Sequence, residues 1–266
     1  MKERESAAIQ NWNSFWNFHL GAWNGRWSRY QPNGKLSETF SSKRSFSSDQ
    51  DKKVINQLNQ YLYDDGQQSE KDWNYSLLEH CKQDGFMHPA SDYMRGLAFK
   101  NGAAAWLVPQ IIPNQYFPME LFLANTNIRL SVGMLYGMNG TLERTACIRE
   151  QRNHLAESPW TDDVQIIPAW DTGSNWTGIT HIIDAALQRS KVKGTLEIPV
   201  QPGDKEYFFP DNIILRCPEQ ITLNKPFSVS SIWLDSSYKL RTIMATYGAD
   251  SRLIDVRLQH LSRQTA

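Results

Sequence analysis

The first hydrophobic residues of the chain recur with the spacing of one helix face. Between residues 5 and 18 they are separated by polar residues and stand at Ala8, Ile9, Trp12, Phe15 and Trp16. A recurrence at three and four residues places such side chains on one stripe of an α-helix. We therefore predict one short amphipathic helix, which ends at Gly21 because glycine suits the exit from a helix.

After Gly21 the pattern changes to a period of two. Trp23, Gly25 and Trp27 fall on one face of a segment that extends to about Tyr30. Successive side chains of a β-strand point to opposite faces, so this alternation predicts a strand. Trp23, and Trp176 further along the chain, fall on inward strand faces and are expected to pack in a core, and stacking on a flat ligand is the alternative.

Turn residues and further alternation predict β-structure for most of the remaining chain. Type I′ hairpin turns tolerate Asn-Gly pairs, and the chain has them at Asn33-Gly34, Asn101-Gly102 and Asn139-Gly140. Alternating segments flank two of these turns, residues 93–99 with 103–108 and residues 127–136 with 141–149. The polar stretch 49–72 predicts a long loop or a short solvated helix. Many short strands with little helix favour an all-β fold.

The two halves of the chain resemble each other. At an offset of 111 residues, Leu121-Phe122-Leu123 aligns ungapped with Ile232-Trp233-Leu234, and Tyr136-Gly137 aligns with Tyr247-Gly248. Upstream, Trp23-Asn24-Gly25 aligns with Trp176-Thr177-Gly178 at an offset of 153 residues. We interpret this as an internal repeat, and chance similarity between hairpins with the same turn chemistry is the alternative.

The repeat predicts two domains. An N-terminal barrel would occupy residues 1–155 and a C-terminal barrel residues 156–266, joined near residues 151–162. The difference between the two offsets places an additional stretch of about 42 residues in the first half, around residues 49–90. The residues expected to serve this architecture are Gly21, Trp23, Gly25, Trp27, Tyr136, Gly137, Trp176, Gly178, Tyr247 and Gly248.

Charge and composition narrow the functional classes. Lys and Arg together number 28, as do Asp and Glu, and the zero net charge disfavours nucleic-acid partners. The three cysteines are odd in number and far apart, which disfavours a disulfide framework. A charged N-terminal segment and the lack of a long apolar run predict a cytoplasmic protein with no membrane span.

Two sequence segments carry a family resemblance. Gly21-x-Trp23 directly after a short helix resembles the calycin superfamily of lipocalin-like barrels, although the third lipocalin motif is absent. WNGRWSRYQPNGK and RLSVGMLYGMNGTLERTACIREQR resemble a cyanobacterial and plastid family long catalogued as a domain of unknown function. The resemblance implies two calycin-like antiparallel barrels and a role like that of its plastid members, which are implicated in assembly of the chloroplast ATP synthase.

The C-terminal half resembles a second family. FPDNIILRCPEQITLNKPFSVSSIWL, followed by the Tyr247-Gly248 turn, is similar to the S-type phycobiliprotein lyases, which are single calycin barrels. Those lyases usually carry an arginine shortly before the tyrosine of that turn. Here the residues two positions before the tyrosines are Met134 and Ala245, a departure that disfavours bilin attachment.

A set of charged and aromatic residues is the candidate ligand-binding site. Its members are Glu120, Arg129, Arg144, Arg149, Glu150, Trp233 and Arg241. Arg129 falls on the strand face opposite Leu130, so an inward-pointing guanidinium there needs a carboxylate partner, Glu120 or Glu150. The set could receive the carboxylate of a ligand, and a surface ion pair or a barrel-closing salt bridge is the alternative.

No catalytic motif or metal site is expected from the sequence. The chain has no phosphate-binding loop, nucleophile elbow or zinc-protease motif. His80, Cys81 and His88 form the single cluster with ligating side chains, and a fourth ligand at suitable spacing is missing. Cys147 and Cys217 stand in apolar strands and are expected to be inert core residues. We predict neither a metal nor another cofactor.

These observations predict a non-catalytic interaction protein. The resemblance implies a protein client, for which the catalytic-head subunits of ATP synthase are the candidates. The alternative is a carrier that holds a small hydrophobic or carboxylated ligand, such as a tetrapyrrole or an apocarotenoid, in a barrel cavity. A third hypothesis is chromophore attachment of the kind performed by S-type bilin lyases.

Overall fold

The computed structural model describes residues 6–198 and 202–263 and is almost entirely β. The first half contains α1 (Ala7–His19), β1 (Gly21–Tyr30), β2 (Leu36–Ser48), β3 (Val54–Tyr63), β4 (Gln68–Ser76), α2 (Leu77–His80), β5 (Cys81–Lys82), β6 (Gly85–His88), β7 (Ser91–Ala98), β8 (Ala104–Leu107), β9 (Phe117–Asn125), β10 (Ile128–Tyr136) and β11 (Leu142–Arg152). The second half contains β12 (Thr177–Asp184), β13 (Arg189–Thr195), β14 (Asp204–Phe209), β15 (Ile213–Pro218), β16 (Phe227–Ser236), β17 (Lys239–Tyr247) and β18 (Leu253–Ser262). The all-β prediction is confirmed.

The N-terminal helix forms as predicted and fills one end of the first sheet. Ser6 caps it, because its hydroxyl accepts a hydrogen bond from the backbone N–H of Ile9. Trp12, Phe15 and Trp16 are buried in an aromatic cluster with side chains from the surrounding strands. In the described residues, no helix has the length and apolar character needed to cross a membrane.

The first sheet is a nearly closed barrel of eleven antiparallel strands. Its order is β4-β3-β2-β1-β11-β10-β9-β8-β7-β6-β5, so β4 and β5 form the two edges. The short helix α2 connects these edges along the chain. The barrel therefore has a seam at which neighbouring strands are joined by side chains and a connection, with no backbone ladder.

One prediction about this barrel was wrong. Residues 49–72 were expected to form a loop or a solvated helix, whereas β3 and β4 form a paired hairpin there. The inward positions of β3 include Gln57 and Asn59, both of which are buried. Because these inward side chains are polar, the strand lacks the apolar alternation by which half-buried strands are recognised. Strands β3 to β6 are the additional stretch predicted for the first half, and the second half has no counterpart to them among its described residues.

The second sheet has seven antiparallel strands in the order β13-β12-β18-β17-β16-β15-β14. It packs face to face against the barrel through one shared apolar core, which contains Leu130 and Val132 from β10 and Ile243 and Leu258 from the second sheet. A smaller apolar cluster around Trp176 covers the other face of the second sheet. The central strands of both sheets are therefore buried on both faces.

The contact between the halves has approximate two-fold symmetry. The Tyr136 hydroxyl donates to the Pro218 carbonyl at 2.9 Å, and the Tyr247 hydroxyl donates to the Val108 carbonyl at 2.8 Å. Leu142 N–H donates to the Glu219 carbonyl at 3.0 Å, and Leu253 N–H donates to the Pro109 carbonyl at 2.8 Å. Each half thus presents the same tyrosine turn to the same loop of the other half, as in an isologous dimer interface.

The two predicted tryptophans occupy equivalent positions. The Trp23 indole donates to the His19 carbonyl, and the Trp176 indole donates to the Thr172 carbonyl, each at 2.9 Å. Both rings are buried, and an arginine at the end of each half stacks on each ring, at 4.2 Å for Arg152, the last residue of β11, and at 4.6 Å for Arg263, which directly follows β18. These matched contacts support the internal repeat and the packing role of both tryptophans.

The ungapped alignment requires a correction in one strand. Val132 lies opposite Leu121, whereas its counterpart Ile243 lies opposite Ser231. Leu121 therefore corresponds to Ser231, at an offset of 110 residues, and the predicted partner Ile232 is one position away. A register irregularity between Leu234 and Ser236 accounts for the extra residue. Since a slip of one residue exchanges the two faces of a strand, this detail changes which side chains correspond.

Candidate functional site

The barrel of the first half encloses a cavity of about 340 Å³ beside α1. Its walls are mostly aromatic, and polar side chains lie along two sides. The residues that line it are Phe15, Trp27, Arg44, Phe46, Gln57, Asn59, Tyr61, Trp73, Tyr75, His88, Ala90, Ser91, Met94, Trp106, Glu120, Phe122 and Arg129. This volume lies near the lower end of the range of about 300–1,000 Å³ for small-molecule pockets.

A buried ion cluster forms the floor of the cavity. Glu150 accepts hydrogen bonds from the Nε atoms of Arg44 and Arg129, each at 2.6 Å, and a second bond from each guanidinium. The side chain of Glu150 is 0% exposed and that of Arg129 is 1% exposed. Each of the three charged groups thus has an oppositely charged hydrogen-bond partner, as buried charges require.

Strand register brings these three residues together. Arg129 and Glu150 are directly opposite each other on β10 and β11. On the other side of β11, Gly25 of β1 lies opposite Glu150. A Cβ atom at this glycine would lie only 2.4 Å from Glu150 Cγ. The missing side chain therefore leaves room for Arg44 to reach the carboxylate from β2.

A second carboxylate borders the cluster on the cavity side. Glu120 Oε1 lies 3.6 Å from Nη1 of Arg44 and accepts a hydrogen bond from Ser131 Oγ at 2.6 Å. Its side chain is 22% exposed, in contrast to the fully buried Glu150. Glu120 is thus the member of the cluster that solvent or a ligand reaches first.

The charge states of the floor are set by the mutual contacts. Burial would raise the pKa of Glu150, but Coulombic attraction and hydrogen bonds from Arg129 and Arg44 outweigh it and lower the pKa to about 2. Burial lowers the pKa of Arg129 to about 10, which leaves it cationic at neutral pH. Burial and the nearby Arg129 hold the pKa of His19 well below its usual value. Neutral His19 contacts Arg129 Nη1 through Nδ1 at 2.6 Å.

A row of polar side chains lines another wall of the cavity. The Tyr75 hydroxyl donates to Gln57 at 2.9 Å, the Gln57 amide donates to Asn59 at 2.9 Å, and the Asn59 amide donates to the Tyr61 hydroxyl at 2.8 Å. All four residues belong to β3 and β4, the strands added to the first half. The addition therefore supplies polar groups to the interior as well as length to the sheet.

The mouth of the cavity lies beside the seam of the barrel. Among the lining residues, Tyr61, Trp73 and His88 are half-buried and Ala90 is exposed. The rings of Trp73 and His88 meet across the seam, with centroids 5.4 Å apart. Because side chains rather than a backbone ladder close this edge, rotation of two rings would widen the entrance.

The structure brings together part of the predicted site. Arg129 pairs with Glu150, one of its two expected partners, and Glu120 lies beside them. Arg149 instead faces the linker between the halves, where it pairs with Asp211 and donates to the Thr161 carbonyl at 3.1 Å. Neighbouring residues of a strand point to opposite faces, which separates Arg149 from Glu150.

Three other predicted residues also lie outside the cavity. Trp233 packs in the shared core, with its ring 5.6 Å from that of Trp160. Arg241 donates to the Ala124 carbonyl at 2.9 Å and pairs with Asp235 at 3.2 Å. Arg144 is exposed on β11. Trp233 and Arg241 therefore serve the contact between the halves.

Sequence reasoning missed Arg44 and His19. Arg44 stands in the polar segment SSKRSFSS, where the buried positions are Ser42, Arg44 and Phe46. The signal that could have identified it is the alternation of Phe40 and Phe46 at even positions, which places Arg44 on the inward face. His19 follows the helical stripe of α1 by three residues from Trp16, so its burial was also readable from spacing.

The histidine and cysteine side chains make structural contacts. His80 Nδ1 accepts a hydrogen bond from Ser76 N–H at 2.9 Å, and His88 Nδ1 accepts one from Ala90 N–H at 3.0 Å. Across residues 6–198 and 202–263, no group of three or more His, Cys, Asp or Glu side chains could hold a metal ion. Burial raises the pKa of Cys147 and of Cys217 to about 12, as expected for inert core thiols.

Comparison with known proteins places the chain among proteins of unknown function. The family model described as "Domain of unknown function (DUF3598), N-terminal" matches residues 8–155. A crystal structure of a DUF3598 protein of unknown function from Nostoc punctiforme has 18% identity and a TM-score of 0.70, over 96% of this chain and 99% of that one. The S-type phycobiliprotein lyase CPES from Guillardia theta has 10% identity and a TM-score of 0.38, over 56% and 96% of the two chains. No curated protein matches the sequence.

Proposed function

Since the chain belongs to the DUF3598 family, whose function is unknown, we propose from its site that it is a non-catalytic binding protein that holds one small amphipathic molecule in the N-terminal barrel. The observation that carries the proposal is the cavity of about 340 Å³ over the Arg44–Glu150–Arg129 cluster. Apolar walls with a few convergent polar groups are the usual features of a ligand site.

The electrostatics of the floor support binding over catalysis. General acid–base chemistry needs a group whose pKa lies near the working pH. The pKa of Glu150 is about 2, that of Arg129 is about 10, and burial lowers that of His88 at the mouth to about 4. These groups keep a constant charge near neutral pH, which suits recognition of a fixed charge on a ligand.

The lining indicates a compact ligand with an aromatic or polyene body and one carboxylate. Trp27, Trp106 and Phe122 offer flat apolar surfaces. Arg44 has its Nη1 atom directed toward Glu120 across 3.6 Å, a separation longer than a direct hydrogen bond. A ligand carboxylate would replace Glu120 at this atom and make a shorter, charge-assisted contact. The small volume favours such a ligand over a tetrapyrrole.

Tryptophan fluorescence with matched probes tests this proposal. We expect saturable binding of retinoic acid, weaker binding of retinol, which lacks the carboxylate, and weaker binding of biliverdin, which is larger. Ser91→Trp places a bulky ring in the cavity lining and should abolish binding. Equal affinity of the protein and of Ser91→Trp for retinoic acid would show that the probe binds elsewhere.

A second substitution isolates the role of the half-exposed carboxylate. Glu120→Gln removes the charge that competes for Arg44 and should strengthen retinoic acid binding by about two- to fivefold, the range for a partly exposed ion pair. Retinol binding should not change. Glu143→Gln, at an exposed position of β11, is the matched control. Loss of retinoic acid binding in Glu120→Gln would contradict the proposed exchange.

A protein client is the second candidate function, and an exposed apolar patch favours it. Ile112, Met138 and Leu223 are each at least 40% exposed, and they border one cleft at the contact between the halves. Patches of large apolar side chains often mark protein interaction sites. The catalytic-head subunits of ATP synthase remain the predicted clients. Pull-down with purified subunits, repeated with Met138→Ser, tests this prediction, and equal capture by both proteins would contradict it.

A further inference from the structure

The contact between the halves forms two grooves related by the approximate two-fold symmetry. One, the linker groove, is occupied by residues 160–167 of the connection between β11 and β12. There Arg149 donates to the Thr161 carbonyl at 3.1 Å and to the Asp163 carbonyl at 2.6 Å. The Tyr30 hydroxyl donates to the Val164 carbonyl at 2.7 Å. A segment of the chain therefore fills this groove, and side chains of the barrel donate hydrogen bonds to its backbone carbonyls.

The second, the open groove, has a volume of about 470 Å³ and is lined by residues of both halves. Its residues correspond to those of the linker groove by strand register. His260 occupies the position of Arg149, and Ile183 occupies that of Tyr30. Asn101 occupies the turn position of Asp211. The amide of Asn101 donates to His260 Nε2 at 2.5 Å, which repeats the Arg149–Asp211 pair without charge.

The start of α1 explains why the second groove stays open. In the repeat, residues 160–167 of the linker correspond to the first turns of α1. Trp160 and Ile166 pack against the shared core from the linker, whereas Ala7 and Ala8 do so from α1. The helix then continues into the barrel, and its small side chains leave the groove beside it unfilled.

The charges of the open groove point to an acidic occupant. Lys100 and Arg189 are among its lining residues, and none of the described residues that line it is an Asp or a Glu. Arg189 Nη2 donates to the Ala98 carbonyl at 2.8 Å, and its buried Nε has no hydrogen-bond partner within residues 6–198 and 202–263. The equivalent carbonyl in the linker groove, that of Phe208, accepts from the linker's Ile167 N–H. In the open groove Arg189 therefore donates to a carbonyl whose equivalent in the linker groove accepts a hydrogen bond from the linker backbone.

We propose that the open groove binds an extended acidic segment of a partner protein, in the manner in which the linker groove binds the chain's own linker. Carboxylates of the segment would pair with Arg189 and Lys100, and its backbone would lie along Asn101 and His260. Buried donors without partners gain most from such contacts. The proposal concerns a surface outside the barrel cavity and does not depend on the ligand proposed there.

The peptide with the sequence of residues 158–168 is the probe, because it fits the equivalent groove and contains Asp162 and Asp163. Labelled peptide is titrated with the intact protein by fluorescence anisotropy, and NMR follows the histidine rings. We expect saturable binding with shifts of the His181 and His260 signals. Replacing both aspartates of the peptide by asparagine, or Arg189 by glutamine, should weaken binding about tenfold.

Two tryptophan variants separate this surface from the cavity. Ser190→Trp fills the open groove and should abolish peptide binding while retinoic acid binding persists. Ser91→Trp should have the opposite effect on the two probes. Failure of the peptide to bind saturably, unchanged binding in Ser190→Trp, or shifts confined to His88 would overturn the proposal. So would a concentration-dependent dimer that Ser190→Trp abolishes, since the occupant would then be a second copy of the chain.

Discussion

The two halves of the molecule share a frame and differ in what lies inside it. Each has a buried tryptophan that donates to the segment before its first strand and carries a stacked arginine from the C-terminal end of that half. At the positions that face this tryptophan, the first half has Arg129 and Glu150, whereas the second has Leu240 and Leu261. The same arrangement of strands therefore accommodates buried charges in the first half and buried leucines in the second.

This difference indicates that the buried charges are not required by the architecture. Removing two guanidinium groups and a carboxylate from water is costly, and a well-packed apolar core of similar volume is often at least as stable. The half that keeps the charges also has the four additional strands and the cavity. We infer that the ion cluster is retained for what it presents to the cavity.

The largest expected effect comes from breaking the cluster. Glu150→Leu, which introduces the residue of the second half, removes the carboxylate that pairs with Arg129 and leaves Arg44 with the more distant Glu120. We expect a loss of about 3–5 kcal/mol in the free energy of unfolding, measured in urea. Converting all three positions, Arg44→Met with Arg129→Leu and Glu150→Leu, should recover most of this loss. A triple variant as unstable as Glu150→Leu would show that the charges support the fold.

The shared frame predicts large losses of stability for both tryptophans. Trp23→Ala and Trp176→Ala each remove a fully buried ring, and each should cost about 3–5 kcal/mol of stability in urea unfolding. Trp23 also stacks on Arg129 at 4.3 Å, so its loss should be at the upper end. A loss below about 1 kcal/mol for either ring would contradict its packing role.

Acid should distinguish the charged half from its apolar variant. The pKa of Glu150 is lowered from 4.5 to about 2 in the folded state, so its ionised form stabilises the fold above pH 4.5. This contribution, of about 3 kcal/mol, is lost as the pH falls from about 4.5 to about 2. The triple variant should lose less stability over the same interval. Identical acid unfolding curves for the two proteins would refute the assignment of this loss to Glu150.

The smallest expected effect lies at the symmetric contact between the halves. Tyr136→Phe and Tyr247→Phe each leave one buried carbonyl, that of Pro218 or Val108, without its hydroxyl donor. Each should cost about 1–2 kcal/mol, and the two losses should be similar. Thermal unfolding of the two variants measures both losses of stability. Clearly unequal losses would show that the two contacts are symmetric in geometry but not in energy.

Local patterns predicted the elements that bury an apolar face. The stripe from Ala8 to Trp16 became α1, and the Asn-Gly pairs at residues 101–102 and 139–140 became turns between paired strands. The hairpin of β3 and β4 was missed because two of the residues that β3 directs into the cavity, Gln57 and Asn59, are polar. Alternation of apolar residues indicates a strand that packs on an apolar core. The inward residues Gln57 and Asn59 of β3 form a polar wall of the cavity, so this signal is missing there.

The site was predicted in part for a related reason. The sequence indicated that Arg129 needs a carboxylate and named Glu120 and Glu150, both of which are at the cluster. It did not predict that Arg44 pairs with the same carboxylate, which Arg44 reaches from β2 across the space left by Gly25. A contact between β2 and β11 depends on strand order, and strand order is set by non-local pairing.

The sequence by itself determined the class of fold, the internal repeat and the alternation of the strands that bury an apolar face. Only the tertiary structure decided which face of a strand lies in the barrel and which lies between the halves. Leu130 packs between the halves while Arg129 faces the barrel, and Arg149 and Glu150 divide in the same way. The period of two in a strand shows which residues share a face, but it does not show which face points into the barrel. Here both faces are buried, so burial does not distinguish them either. Because the second sheet packs on one face of the first, Arg149 on that face contacts the linker and Glu150 on the other face lies in the ion cluster beneath the cavity.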